Sequence, residues 1–98
     1  MNIQGKVFVV TGGASGLGAA TATYLIAQGA KVIMVDMNHE LGKEMQKHLG
    51  EHSHFIQLDV TDEQAVEIFF ENVEQQYGQL NGLVNCAGLA PSAKVLGR

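Results

Sequence analysis

The chain has 98 residues, the length of one small domain, and 46% of them are hydrophobic, which excludes a disordered tail. Six Lys and Arg against ten Asp and Glu give a net charge of -4 with no basic block, so neither nucleic acid nor an anionic membrane surface is an expected partner. A single cysteine, Cys86, excludes an internal disulfide. No apolar run approaches the ~20 residues that span a bilayer, and since the N-terminus leads almost directly into a strand pattern, no signal sequence is expected. A cytoplasmic protein is the expectation.

Residues 6–10 form a β-branched and aromatic run, the pattern of a strand buried on both faces of a parallel sheet. Thr11, Gly12, Gly13, Ala14, Ser15, Gly16, Leu17 and Gly18 follow, and beyond them Ala19, Ala22, Leu25 and Ile26 recur at helical spacing. The chain must turn from strand into helix across these eight residues. Glycine permits positive φ angles and leaves no side chain where backbone approaches a ligand. The free N–H groups and dipole of a helix start favour an anion, and a glycine turn placed between strand and helix is the setting of a dinucleotide-binding turn. The helix is expected from Ser15 or Gly16 to Gln28, with Gly29 as its C-cap.

Residues 31–36 read as a second buried strand ending in Asp36. Asn38 can cap a second helix whose Leu41, Met45 and Leu49 form its apolar line and whose Gly50 stops it. Residues 54–60 make a third strand. Thr61, with Gln64 three residues on, has capping-box spacing and opens a helix whose Val66, Phe69, Phe70, Val73 and Tyr77 share one face, ending at Gly78. A fourth strand over 80–87 closes in Asn85, Cys86, Ala87 and Gly88. This β-α-β-α-β-α-β alternation predicts an α/β fold of the doubly wound Rossmann type, a parallel sheet in the order 3-2-1-4. Ligands of such sheets bind at the carboxyl ends of the strands, where the chain reverses between the first and fourth. Residues 1–88 are expected to form an NAD-binding half-domain, and 89–98 the start of a substrate-side loop or tail.

Asp36 lies eighteen residues beyond Gly18, where a carboxylate can accept both ribose hydroxyls of an adenosine. Its charge repels a 2'-phosphate, and Ser15, Met37 and Asn38 supply no cation to offset that, so NAD is expected over NADP. Asp59 can accept from an adenine amino group or serve as an ordinary acid beside a helix, and spacing does not decide between these. Asn85 can brace neighbouring strands or meet a ribose through its backbone. Cys86 reads as a small buried residue, with no histidine predictably near to activate it. His39, His48, His52 and His54 read as surface residues; only His52 and His54 have even suggestive spacing, and two ligands make a poor metal site.

The run from Thr11 to Gly18 resembles the TGxxxGxG turn of the classical short-chain dehydrogenase/reductases. Asn85, Cys86, Ala87 and Gly88 resemble that family's NNAG motif with its second Asn replaced by Cys, and Asp59 and Val60 its intervening Asp-Val pair. Residues 85–90 with Ser92, Ala93 and Lys94 resemble the 3-hydroxyacyl-CoA and hydroxysteroid dehydrogenase group within it. The resemblance implies that Gly12, Gly16 and Gly18 line a pyrophosphate, with Ser15 and Leu17 nearby. It also implies that Asp36 selects NAD, that Asp59 and Val60 hold adenine, and that Asn85, Ala87 and Gly88 sit beside the nicotinamide ribose. It implies hydride transfer between nicotinamide and a secondary alcohol or ketone, in a homo-oligomer, a tetramer. The family's catalytic tyrosine and lysine stand as YxxxK, but Gln28 follows Tyr24 and Asn81 follows Tyr77 at that spacing. The chain is therefore expected to be the cofactor-binding half of such an enzyme, without the C-terminal half of its fold, and inactive by itself. Two other classes stay open: a non-catalytic nucleotide-binding or interaction module, and a methyltransferase, against which the glycine pattern speaks.

Overall fold

The computed structural model describes residues 3–12 and 16–86. Strands and helices alternate as β1 (Val7–Thr11), α1 (Gly16–Ala27), β2 (Lys31–Asp36), α2 (His39–Leu49), β3 (Ser53–Gln57), α3 (Glu63–Tyr77) and β4 (Gly82–Asn85). All neighbouring strands are parallel, in the order β3-β2-β1-β4. None of the described helices is long and apolar enough to cross a membrane.

The continuous apolar runs of β1 and β2 are explained by burial on both faces. Successive side chains point to opposite sides of a strand. Phe8, Val10, Val32 and Met34 therefore pack with Ala22 and Leu25 of α1 and Phe55 of β3, joined at the margin by Met45 and Leu49 of α2. Val7, Val9, Ile33 and Val35 face the other way, against Phe69 and Val73 of α3. The central strands are sealed: Val9, Val10, Met34 and Val35 expose no surface.

Four local expectations are corrected. The third strand was expected over 54–60 but spans Ser53–Gln57, because after the Leu58 N–H donates to Asp36 O the chain turns away through Asp59. Thr61 was expected to cap α3, but Asp62 does so, its carboxylate accepting from the Ala65 N–H at 3.1 Å, and the helix begins at Glu63. A carboxylate also interacts better with the helix dipole than a hydroxyl. The fourth strand, expected over 80–87, is Gly82–Asn85 among the described residues, since the Asn81 side chain rather than a ladder carbonyl takes the Val7 N–H at 2.8 Å. In α2 the apolar line expected at Leu41 starts instead at the buried Gly42, while Leu41 is 46% exposed. The helix lies so close to β3 that a Cβ at Gly42 would meet the Phe55 ring, and only glycine permits that approach.

Candidate functional site

Four strand ends form one carboxyl edge. Thr11 is level with Val35 on one side and Asn85 on the other, so Gly12, Asp36 and Cys86 stand in the next row. Gln57 of β3 is level with Asp36. Strands about 4.8 Å apart place the outermost ends of this row ~14 Å from one another, a span suited to an extended ligand laid crosswise.

At the centre, Gly12 has φ 69°, a left-handed conformation that diverts β1 toward α1, and its N–H donates to Val35 O at 2.7 Å. Any other residue would be strained there. At the start of α1, Gly16 and Leu17 are exposed and Gly18 is buried. Leu17, 69% exposed, and Met37, 60% exposed, are large apolar side chains left open where α1 begins and where β2 ends. Ser15, Ala87 and Gly88, also expected to be site residues, lie outside the described residues.

At the end of β2, an Asp36 carboxylate oxygen accepts from the Asn38 N–H at 3.0 Å, and the Asn38 side chain in turn caps α2 by accepting from the Leu41 N–H at 3.1 Å. Gln57 donates from its side chain to Met37 O at 3.0 Å and ties this turn to β3. The acid is thus held on a fixed turn. Asp59, beyond β3, is exposed, and its Oδ1 accepts from both the N–H and the hydroxyl of Thr61, at 2.9 and 2.6 Å. The Thr61 hydroxyl first, and its backbone N–H second, hold the Asp59 carboxyl below the usual carboxylate range. Val60 is half-buried against the α3 side of the core.

At the end of β4, the Thr11 hydroxyl donates to Asn85 Oδ1 at 2.7 Å and the Cys86 N–H donates to Thr11 O at 2.9 Å. Of the two roles open to Asn85, its side-chain oxygen takes the bracing one. Cys86 is half-buried beside the α1 side of the core, with Sγ 3.9 Å from the Thr21 hydroxyl. The four histidines are exposed on α2, β3 and the turn between them. Among the described residues no three His, Cys, Asp or Glu side chains gather to hold a metal. An open groove of mixed charge beside α2 and β3, lined among others by His39, Lys43, Gln46 and His54, lies on the flank of the sheet.

Gln57 and Thr61, which hold the turns that carry Asp36 and Asp59, are not marked in the sequence as site residues. Gln57 carries no local signal, since its partner is twenty residues away, and Thr61 was disguised by its capping-box spacing. Among the described residues, the edge brings together a positive-φ glycine just after β1, an acid at the end of β2 tied to the turn that follows, and a second acid beyond β3.

A family model described as short chain dehydrogenase matches residues 6–96. The 3-hydroxyacyl-CoA dehydrogenase type-2 of Drosophila melanogaster is 45% identical over 92 residues, covering 94% of this chain and 36% of that protein. The human protein of the same name is 40% identical over 93 residues, with 95% and 36% covered. The 3-beta-hydroxysteroid dehydrogenase of Comamonas testosteroni is 42% identical over 87 residues, with 89% and 34% covered. Among solved structures, a short-chain type dehydrogenase/reductase from Mycobacterium ulcerans superposes with a TM-score of 0.84 at 30% identity, covering 92% of this chain and 35% of that one. A 3-ketoacyl-(acyl-carrier-protein) reductase from Brucella melitensis, complexed with NADH, gives a TM-score of 0.78 at 27% identity, with 83% and 33% covered. The chain spans about a third of the length of these relatives.

Proposed function

The chain belongs to the short chain dehydrogenase family, and from that premise we propose that it is the NAD-binding portion of an oxidoreductase that moves a hydride between NAD and a secondary alcohol or ketone. The observation that carries the reading is the pairing of Gly12 and Asp36 in one row at the ends of adjacent strands. Gly12 leads the chain to the helix start, where backbone N–H groups and the dipole receive a pyrophosphate, and Gly16, Leu17 and Gly18 with Ser15 complete that cradle. Asp36 accepts the hydroxyls of the adenosine ribose and, as an anion, disfavours a 2'-phosphate, which selects NAD over NADP. Asp59 and Val60 receive the adenine. Asn85, with Ala87 and Gly88 beyond it, lies on the nicotinamide side.

Bound nicotinamide supplies the hydride chemistry. This chain's residues bind and orient it. The names of the similar proteins favour a 3-hydroxyacyl-CoA or a hydroxysteroid as the class of substrate. A homo-oligomeric, tetrameric parent and a cytoplasmic location complete the proposal, the latter on the acidic balance and the single cysteine. The 98 residues by themselves hold cofactor without turnover, because neither Tyr24, exposed on α1, nor Tyr77, packed toward the α3 side of the core, has a lysine one helical turn on.

Titration calorimetry with NAD, NADP and S-adenosylmethionine tests this. NAD is expected to bind most tightly, and Asp36→Asn to weaken it about tenfold. Equal affinity for NADP would overturn the assignment of Asp36, preference for S-adenosylmethionine would overturn the oxidoreductase reading, and NAD-linked turnover by the 98 residues would overturn the predicted inactivity.

A further inference from the structure

We infer that Thr61 is a positioning residue for base selection: it fixes the Asp59 carboxylate so that the second oxygen is presented to the amino group of adenine. The inference rests on the placing of adenine at Asp59 proposed above. Both Thr61 bonds fall on one oxygen, Oδ1, through the backbone N–H at 2.9 Å and the hydroxyl at 2.6 Å. Two donors from one residue fix the carboxylate plane as a single donor cannot. A second link, from the Asp62 N–H to Asp59 O at 3.0 Å, holds the main chain of the turn. Oδ2 makes no bond among the described residues, on an exposed side chain beyond β3 and one residue past Leu58, whose N–H is tied to Asp36 O.

An ionised carboxylate only accepts hydrogen bonds. The Thr61 bonds favour that ionised form, holding the acid below its usual range. Such an acceptor matches adenine, which offers an exocyclic amino donor, and opposes hypoxanthine, which offers a carbonyl oxygen at the same place. Thr61 is available for this work because Asp62 caps α3.

Affinities for NAD and for nicotinamide hypoxanthine dinucleotide, measured by calorimetry on the 98-residue chain, test the inference. The unsubstituted protein is expected to prefer NAD about tenfold. Thr61→Val, nearly isosteric and leaving the Asp62 cap intact, is expected to reduce the preference to about twofold. Thr61→Ser, which keeps the hydroxyl, is expected to restore it. A general loss of folding would weaken both dinucleotides together and leave the ratio unchanged, and circular dichroism on each variant identifies that case. If Asp59→Ala collapses the ratio while folded Thr61→Val preserves it, the positioning role is overturned and the adenine assignment stands. If Asp59→Ala itself preserves the ratio, the assignment of adenine to Asp59 fails, and the inference with it.

Discussion

The two edge strands of the sheet are secured in different ways. At the β3 edge a helix lies directly over the strand: Phe55 is 6% exposed, Gly42 of α2 sits against its ring, and Gln46 Oε1 accepts the Phe55 N–H at 2.9 Å, the donor that points away from β2. At the β4 edge Gly82, Leu83 and Val84 are half-buried. There the strand is attached chiefly through its ladder to β1, reinforced by the Asn81 bond to the Val7 N–H at the start and the Thr11 bond to Asn85 at the end. Both edges have a ladder to one neighbour; a helix packed over the strand is added at β3, while at β4 directional bonds are added to the marginal packing of Leu83 and Val84. An edge strand's outward backbone groups are a template for pairing, and Gln46 satisfies one of them at β3.

The largest test of this contrast is truncation of one apolar side chain at each edge. Phe55→Ala is expected to lower unfolding free energy by about 3–4 kcal/mol, as for a buried aromatic. Leu83→Ala, half-buried, is expected to cost ~1 kcal/mol. Urea denaturation of the two variants measures the difference, and equal losses would remove the distinction between the edges.

A smaller effect is expected at Gly42. Replacing glycine by alanine within a helix ordinarily gains about 1 kcal/mol. Here the new Cβ meets the Phe55 ring, and an overpacked site costs roughly 1–3 kcal/mol. Gly42→Ala is therefore expected to lower the urea midpoint, and a raised midpoint would show that α2 can move off β3 without loss.

The smallest effect lies past the β3 end, at Asp59. Its carboxyl is held below the ordinary aspartate value of about 3.9 by the two Thr61 bonds. A carboxyl lowered in the folded state stabilises the protein above the unfolded-state pKa, and that stabilisation is lost as pH falls through the folded-state value. Thr61→Val should therefore raise the Asp59 pKa seen by carbon-13 NMR. The stability difference between Thr61→Val and the unsubstituted protein should be present near neutral pH and shrink in acid below about pH 4. A difference that persists unchanged into acid would show that Thr61 acts through something other than the ionised Asp59.

Much of the fold is legible in residue order because its determinants are local. Unbroken apolar runs at 7–10 and 32–35, short and rich in β-branched residues, read as strands buried on both faces, and the spacing of Val66, Phe69 and Val73 presents one helical face. Of the site, Gly12 and Asp36 are legible for the same reason: each is marked by its place at the end of an apolar run. What short segments do not carry is the choice of partner: Asn85 takes up its bracing role with Thr11 across 74 residues, and Asn81 finds Val7 across the same separation, while the local bonds of Thr61 to Asp59 compete with its capping-box spacing.

Residue order by itself determined the order of the elements, the parallel sheet and the end of β2 at Asp36, since burial and chain turning are properties of short segments, whereas the ends of β3 and β4 were set by bonds to their neighbours. Only the tertiary structure decided which polar groups pair and which residue meets β3: Asp62 rather than Thr61 at the helix cap, Thr61 on Asp59, Thr11 on Asn85, and Gly42 rather than Leu41 on the face of α2 against Phe55. Each choice was among groups of similar local propensity. Geometry decided between them because a hydrogen bond or a close contact is made only within a few tenths of an ångström of its optimum.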